Sequence, residues 1–257
     1  MTTPPKIAAI IPARYASSRF PGKPLVKVGG VTMIERVCRQ ASKARLVQSV
    51  IVATDDQRIA SAVTAFGGEV ALTRSDHVSG TDRLAEVAEG APDLDIIVNV
   101  QGDEPLIDPA AIDAAIGPLL TDPSAVMSTL AAPISNEADA ESPQVVKVVV
   151  DRQGFALYFS RAQIPFYRDG RPFADRRYLG HVGLYVYRRS CLLTLACLPP
   201  TELELAESLE QLRALEHGVR IRVVETAYRS LAIDVPADVG AVETALETMT
   251  TSGNFAL

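Results

Sequence analysis

Short apolar runs rich in β-branched residues alternate with segments of helical periodicity from residue 7 to residue 100. The expected elements are, in chain order, strand 7–11, helix 32–44, strand 49–53, helix 56–66, strand 69–72, helix 80–89 and strand 95–100. Strands that alternate with helices pair in parallel, because each helix carries the chain back across the sheet. The pattern therefore predicts a Rossmann-like α/β fold, a mostly parallel sheet flanked by helices.

The pattern changes near residue 144. The later elements are expected to be strands 145–150, 155–159 and 182–187, an Arg-rich loop 166–178, helix 203–217, strand 219–225 and helix 237–249. Helix 203–217 is expected because Leu205, Leu209 and Leu212 have the spacing of one apolar stripe. The consecutive strands predict a smaller antiparallel region, and the last strand and helix return to the first pattern.

A cation-rich loop, IPARYASSRFPGKPL at 11–25, directly follows the first expected strand. Arg14, Arg19 and Lys23 stand among small residues, which allow a triphosphate to approach main-chain N–H groups closely. Pro24 occupies the place where a Walker P-loop needs Ser or Thr, and no GxGxxG follows the strand, so neither motif is present. The loop predicts a phosphate-binding site, and an ordinary charged surface loop is the alternative.

Polar residues follow the expected strands. Arg14, Asp55, Gln101 and Asp103 all lie at carboxyl ends, where ligands collect in an open parallel sheet. Asp103 could bind Mg²⁺ that bridges nucleotide phosphates, because this cation prefers carboxylate and phosphate oxygens. An Asx turn or a helix cap is the alternative for Asp103. Asp234 has a similar position, with the N-cap of the last helix as its alternative.

Composition agrees with a soluble enzyme and excludes several other classes. The chain has 257 residues, 47% of them hydrophobic, which suffices for a full core. The net charge of −6 argues against nonspecific nucleic-acid binding. We expect a cytoplasmic protein without membrane insertion, because neither a signal peptide nor a long apolar run occurs. Cys38, Cys191 and Cys197 lack CxxC spacing and are expected to be structural.

Seven segments together resemble the 3-deoxy-D-manno-octulosonate (Kdo) cytidylyltransferases, also called CMP-Kdo synthetases. They are the loop at 11–25, VATDD at 52–56, SDHVSGTDRLAE at 75–86, VNVQGDEPLI at 98–107, ALYFSRAQIP at 156–165, HVGLYVYR at 181–188 and LEQLRALEHG at 209–218. The first and fourth are the most specific. The resemblance implies a nucleotide-diphospho-sugar transferase fold in one compact domain, with a nucleotide-binding part at 1–143, an acceptor-binding and dimerisation region at 144–218, and a return to the main domain at 219–257.

The resemblance also assigns residues on the nucleotide side. It implies phosphate binding and catalysis by Arg14 and Lys23, and a Mg²⁺ site formed by Asp103 and Asp234. Contacts nearer the cytidine are implied for Ser79, Gly80 and Gln101. Helix capping is the alternative for Ser79. Arg74 is a further nucleotide-binding candidate, or merely a surface residue.

On the acceptor side the resemblance implies binding by Arg161, His181, Tyr185, Glu210 and Gln211. Arg161 has a planar fork suited to a carboxylate, whereas a lone histidine such as His181 can also be a structural hydrogen-bonding residue. The implied reaction is Mg²⁺-dependent transfer of CMP from CTP to the anomeric hydroxyl of a 2-keto-3-deoxy sugar acid, for lipopolysaccharide biosynthesis. A homodimer is the implied assembly.

One segment departs from the usual family pattern, in which glycines precede the second aspartate. Here residues 228–233 read YRSLAI. The acceptor could therefore be Kdo, its 8-amino analogue or another keto-sugar acid. Two other classes stay open: a catalytically silent nucleotide-binding regulator, which the presence of Asp103 and Asp234 disfavours, and a structural interaction module.

Overall fold

The computed structural model describes residues 4–16, 20–77 and 79–251. Its strands are β1 Ile7–Ala13, β2 Lys27–Val28, β3 Val31–Thr32, β4 Ser49–Thr54, β5 Glu69–Leu72, β6 Ile96–Asn99, β7 Met127–Pro133, β8 Lys147–Val150, β9 Ala156–Ser160, β10 Leu179–Arg188 and β11 Ile221–Glu225. Its α-helices are α1 Met33–Ala41, α2 Gln57–Ala65, α3 Gly80–Gly90, α4 Pro109–Thr121, α5 Glu137–Glu141, α6 Arg189–Ala196, α7 Glu202–Glu207, α8 Gln211–Glu216 and α9 Asp238–Thr251. No helix within these ranges is long and apolar enough to cross a membrane.

The chain forms two compact units. The first contains the described residues up to Asp113 and those from Ser230 onward. Its strands pair in the order β6, β1, β4, β5, and every pairing in this series is parallel. Residues 7–11 of β1 are buried throughout, as expected for a strand covered on both faces. The predicted parallel α/β arrangement is thus confirmed.

The last helix completes an apolar cluster in this unit. Ile233, directly before Asp234, is fully buried there. The cluster consists of Val28, Met33, Leu106, Ile233, Val242 and Leu246. Burial of aliphatic side chains of this size stabilises the folded chain by about 1.5–3 kcal/mol each. The segment that carries Asp234 is therefore anchored by packing.

The second unit comprises Ala114–Arg229 and has a mixed sheet. Strand β7 pairs antiparallel with β10 and parallel with β11, while β8 pairs antiparallel with both β9 and β10. The predicted antiparallel strands are present. The unit begins before the expected boundary at residue 143 because β7, with the sequence MSTLAAP, pairs with the later strands. The last three residues of β7, Ala131, Ala132 and Pro133, are of types that are depleted in strands, so the sequence gives a weak strand signal.

The prediction of a single helix at 203–217 is wrong. The segment forms α7 and α8, separated at Ser208, which has a left-handed backbone with φ of 52°. The expected apolar stripe is not continuous, because Leu205 is 69% exposed while Leu209 and Leu212 are buried. The break places Glu210 and Gln211 at the beginning of a new helix.

Candidate active site

Lys23, Asp103 and Asp234 meet in the first unit. Lys23 begins a short 3₁₀ helix after Gly22, whose φ of 72° is readily adopted by glycine. The Lys23 Nζ atom lies 2.8 Å from Asp103 Oδ2 and 3.5 Å from Asp234 Oδ1. One ammonium group therefore holds two carboxylates that are distant in sequence.

Backbone contacts place Asp234. The Ile233 N–H donates to the Asp103 carbonyl at 2.9 Å, which ties the segment before α9 to the loop after β6. The Asp238 carboxylate accepts from the N–H groups of Val235 at 2.9 Å and Asp234 at 2.7 Å. These two bonds hold the pKa of Asp238 below its usual value. Asp238 thus secures the loop, and the Asp234 carboxylate faces Lys23.

The carboxylates Asp103 and Asp234 fit a magnesium site that is shared with a nucleotide. In the described part of the chain, no group of three or more His, Cys, Asp or Glu side chains could hold a metal ion. Mg²⁺ needs no such group, since it is commonly bound by one or two carboxylates together with substrate phosphates and water. Two carboxylates that already share one cation have the required chemistry.

Arg14 and Ser79 meet at the beginning of α3. The Arg14 Nη2 atom donates to the Ser79 carbonyl at 2.8 Å. The Ser79 hydroxyl accepts from Asp82 N–H, and the Asp82 carboxylate accepts from Ser79 N–H, which forms a capping box. The Ser79 side chain therefore caps the helix, as its alternative interpretation predicted. Arg14 lies beside a helix N-terminus, where the helix dipole also favours anions.

Small residues allow the neighbouring segments to approach β1 closely. A Cβ atom on Gly102 would lie 3.0 Å from the Pro12 carbonyl oxygen, and one on Gly80 would lie 3.6 Å from the Pro12 ring. Gln101 precedes Gly102 in the loop after β6 and is partly buried. The structure thus brings Arg14, Ser79, Gly80 and Gln101 to segments that adjoin the carboxyl ends of β1 and β6.

Arg74 and Arg19 are the two remaining cations that the sequence analysis considered for the nucleotide side. The Arg74 side chain is 69% exposed and lies 3.3 Å from the Asp76 carboxylate. The Arg74 backbone N–H donates to the Glu86 carboxylate at 3.1 Å, and this carboxylate also contacts the buried His77 ring. Arg19 lies outside the described residues. The structure therefore places the Arg74 side chain at the surface.

Sequence reasoning missed Arg83. This side chain is fully buried on α3, with Nη1 3.1 Å from Asp55 Oδ1 and in hydrogen-bonding contact with Thr73 Oγ1. Its Nε and Nη2 atoms have no acceptor within the ranges that the structure describes. Burial lowers the pKa of Arg83, and Asp55 opposes that effect. An arginine on the buried face of a helix was the available signal.

His181 and Tyr185 form an aromatic cluster on β10. The His181 ring lies 5.1 Å from Phe159 in an edge-on contact and 5.3 Å from Tyr185, measured between centroids. The His181 Nε2 atom lies 2.9 Å from Thr129 Oγ1, and this hydroxyl donates to the Leu184 carbonyl at 2.8 Å. The Thr129 hydroxyl has one proton, which it donates to the Leu184 carbonyl, so it must accept from the His181 Nε2–H. The neutral ring therefore carries its proton on Nε2, and its Nδ1 atom can accept a hydrogen bond.

Burial sets the charge state of this cluster. It lowers the pKa of His181 to about 4, so the ring is neutral at pH 7. Burial, assisted by the charge of Glu210, raises the pKa of Tyr185 and keeps its hydroxyl protonated. Gln211 is 7% exposed, and its Nε2 atom finds no acceptor in the described ranges. The site therefore offers neutral polar groups and one nearby carboxylate.

Arg161 is anchored to the backbone of its own unit. Its guanidinium donates to the carbonyls of Glu207 at 2.7 Å, Pro143 at 2.9 Å and Ser208 at 3.4 Å. An arginine has five N–H donors, so about two remain for a ligand. The predicted contact with the carboxylate of the sugar acid can therefore use only the remaining N–H groups of the guanidinium.

Comparison with known proteins gives matches over most of the chain. The family described as Cytidylyltransferase matches residues 8–221. Proteins named 3-deoxy-manno-octulosonate cytidylyltransferase from Geobacter sulfurreducens and Geobacter metallireducens are each 58% identical, over 90% and 92% of this chain and 96% of each relative. A solved structure described as a CMP:2-keto-3-deoxy-manno-octonic acid synthetase complexed with CTP has a TM-score of 0.90 and 45% identity, over 95% of this chain and 99% of that one.

A more distant likeness concerns the fold alone. The 4-diphosphocytidyl-2C-methyl-D-erythritol synthase from Anaerococcus prevotii is 14% identical with a TM-score of 0.62, over 95% of this chain and 99% of its own. Close relatives, by contrast, match nearly end to end and share one name. The chain belongs to the 3-deoxy-manno-octulosonate cytidylyltransferase family.

Proposed function

We propose that this protein transfers CMP from CTP to the anomeric hydroxyl of Kdo and releases CMP-Kdo and diphosphate. The observation that carries the proposal is the convergence of Lys23, Asp103 and Asp234 at 2.8 and 3.5 Å in a chain of this family. The proposal includes a cytoplasmic location and a role in lipopolysaccharide biosynthesis.

The chemistry is an in-line displacement at the α-phosphorus of CTP. The anomeric oxygen of the acceptor forms a new P–O bond, and the bond to diphosphate breaks. No covalent enzyme intermediate is required, so alignment and charge stabilisation supply the catalysis. Arg14 and Lys23 offer positive charge to the phosphates, and the N-terminus of α3 adds backbone donors near Arg14.

Asp103 and Asp234 are the residues that would hold Mg²⁺. When bound, the ion supplies charge neutralisation at phosphate oxygens and lowers the pKa of an attached hydroxyl. Lys23 has a separate task, because its contacts keep the two carboxylates together before substrates bind.

The acceptor side follows from the neutral cluster of the second unit. The Nδ1 atom of neutral His181 accepts a hydrogen bond from a hydroxyl of the sugar acid, and the Gln211 amide donates one to an oxygen of the same substrate. Tyr185 and Glu210 add a phenol and a carboxylate. The remaining donors of Arg161 are assigned to the acceptor carboxylate. Such a set recognises a polyhydroxylated keto acid and lacks the several cations expected around a second phosphate group.

A homodimer formed through the second unit is also part of the proposal. Leu157 on β9 and Phe166 in the Arg-rich loop are 62% and 84% exposed in the single chain. Large exposed apolar side chains of this kind are common at protein interfaces. Light scattering during size-exclusion chromatography tests this part, and a monomer at micromolar concentration would contradict it.

The same reaction on 8-amino-Kdo is the second candidate. The common family form has glycines just before the aspartate at position 234, whereas residues 228–233 of this chain read YRSLAI. Ile233 is buried, whereas Leu231 is 43% exposed and is available to alter the surroundings of the site.

Substrate panels test the proposal and separate the candidates. The pure protein is incubated with Mg²⁺, each of the four nucleoside triphosphates, and Kdo, its 8-amino analogue or hexose 1-phosphates. Diphosphate release and the nucleotide-sugar product are followed together. We expect CMP-Kdo from CTP and Kdo. Efficient use of a hexose 1-phosphate, with neither keto acid converted, would contradict the assignment.

A further inference from the structure

Lys147 lies at the centre of a polar network in the second unit, in which Lys147 and Ser160 are buried and Arg161 and Glu207 are partly buried. It is fully buried on β8, and its Nζ atom donates to the carbonyls of Ser142 at 2.8 Å, Val145 at 2.6 Å and Arg161 at 2.6 Å. An ammonium group has three N–H donors, so these bonds use all of them. Lys147 therefore acts on protein backbone in this arrangement and leaves ligand contacts to other residues.

Glu207 extends the network from β9 to the end of α7. Its carboxylate accepts from the Ser160 hydroxyl at 2.6 Å and from the Arg161 N–H at 2.9 Å. The Glu207 carbonyl accepts in turn from the Arg161 guanidinium at 2.7 Å. Burial alone would raise the pKa of Glu207, but these hydrogen bonds hold it below its usual value, so the group is ionised. Two hydrogen bonds between Arg161 and Glu207 therefore join the segment after β9 to the end of α7.

The network ends at the turn that precedes two proposed acceptor residues. Ser208 has its left-handed backbone here, and its carbonyl accepts from Arg161 at 3.4 Å. Glu210 follows two positions later, and Gln211 begins α8. The direction of α8 therefore depends on how Glu207 and Ser208 are held.

The cost of burying the Lys147 ammonium argues for a role beyond stability. Removing charged groups from water is expensive, and apolar residues of similar volume often stabilise a fold as well as a buried ion pair does. Burial lowers the pKa of Lys147, with Glu207 opposing the effect. The network contains two cations, Lys147 and Arg161, and only one carboxylate, that of Glu207. The excess positive charge lies beside the segment that leads to Glu210.

We propose that Lys147 and Glu207 are positioning residues for the sugar-acid acceptor. They fix the Glu207–Ser208 turn and thereby set the direction in which Glu210 and Gln211 are presented. The inference rests on the proposed function only in taking Glu210 and Gln211 as acceptor-binding residues.

The first test uses Lys147→Met, which keeps much of the side-chain volume and removes all three donors. We expect the KM for Kdo to rise about tenfold while the KM for CTP changes by less than about twofold. Hydrogen exchange of the free protein should also become faster across residues 205–212. A purely structural role would lower stability without separating the two KM values.

Arg188→Met is the matched control. The Arg188 guanidinium also donates to three carbonyls of the second unit, those of Leu119 at 2.8 Å, Ala125 at 3.0 Å and Asp122 at 3.4 Å. It lies roughly 20 Å along β10 from His181, at about 3.3 Å per residue. We expect a similar loss of thermal stability, with unchanged KM values and unchanged exchange at 205–212.

Glu207→Gln provides a milder second variant, which decides the question if Lys147→Met does not fold. This substitution keeps the shape of the side chain and removes its charge. We therefore expect the KM for Kdo to rise about threefold, with little change in the KM for CTP. Equal changes in both KM values, or the same Kdo effect in Arg188→Met, would overturn the inference. Unchanged exchange at 205–212 in both network variants would also overturn it.

These readouts distinguish the inference from the proposed function. If the wild-type protein makes no CMP-sugar from CTP and Kdo, the proposed function fails, and exchange at 205–212 still tests the network. Faster exchange in Lys147→Met but not in Arg188→Met would then support the positioning of the turn.

Discussion

His181 shows how one residue acquires a defined chemistry from its neighbours. Burial keeps the ring neutral, and Thr129 selects the tautomer in which Nδ1 is the acceptor. Neither effect is visible in the sequence HVGLYVYR, although the resemblance indicated the residue itself. Thr129 was missed, because a threonine in an apolar strand is usually only a satisfied hydroxyl.

A pH dependence of stability follows from the lowered pKa of His181. The unfolded ring binds its proton near pH 6.5, whereas the folded ring does so near pH 4, so folding is penalised as pH falls through this window. The wild-type free energy of unfolding should therefore decrease by up to about 2 kcal/mol more than that of His181→Gln between pH 7.5 and pH 5. Urea unfolding at both pH values measures this. Parallel losses in the two proteins would exclude His181 as the source.

Ser208 illustrates the element scale, because a single backbone conformation divides one expected helix into α7 and α8. The sequence carries no glycine at the break, so the usual signal for a left-handed residue is absent. The two helices are joined by the buried pair Arg213 and Glu204, with N–O distances of 2.6 and 2.8 Å. Contacts across the break stabilise it, and sequence periodicity does not report them.

Substitutions at Ser208 test this interpretation of the break. A β-branched side chain is strained at φ of 52°, whereas glycine is not. Ser208→Val should therefore be less stable than Ser208→Gly by about 1–2 kcal/mol. Thermal and urea unfolding measure the difference. Equal stability of the two variants would show that the left-handed turn is not required.

Elements with strong periodicity could be predicted, and those that depend on distant partners could not. Strands β1, β4, β5 and β6 are apolar runs bounded by helices, and each was expected within a few residues of its observed position. The run VVKVVV predicts that Lys147 lies on the solvent-facing side of a strand, although the side chain is buried. Its carbonyl partners come from segments on both sides, so only the folded chain identifies its role.

At the scale of the whole molecule, the residues proposed to bind the nucleotide and those proposed to bind the sugar acid belong to different compact units. Lys23, Asp103 and Asp234 lie in the first, and His181 and Gln211 lie in the second. The resemblance predicted both groups, and the structure brings the first three into direct contact. Arg83 contacts Asp55 and Thr73 in the first unit, and Glu207 contacts Ser160 and Arg161 in the second. These partners could not be inferred from sequence spacing.

This division predicts separate kinetic effects for the two substrates. Lys23→Ala should chiefly raise the KM for CTP, because it removes a cation proposed to bind phosphate. Gln211→Ala should chiefly raise the KM for Kdo, because it removes a buried donor that finds no partner in the described part of the chain. Initial rates with each substrate varied in turn measure both. A Gln211 variant impaired only toward CTP would contradict the division.

Asp103 and Asp234 are proposed to form the metal-binding part of a CTP-dependent active site, and the turnover of their asparagine variants measures that role. Asp103→Asn and Asp234→Asn each remove one charge with little change of shape. Each should lower kcat with CTP and Kdo about 10²–10³-fold at saturating Mg²⁺ while the protein stays folded. Asp93→Asn, which removes a carboxylate from an exposed pair with Lys6, should retain nearly full activity. Near-normal turnover of either active-site variant would show that the substituted aspartate has no part in metal binding.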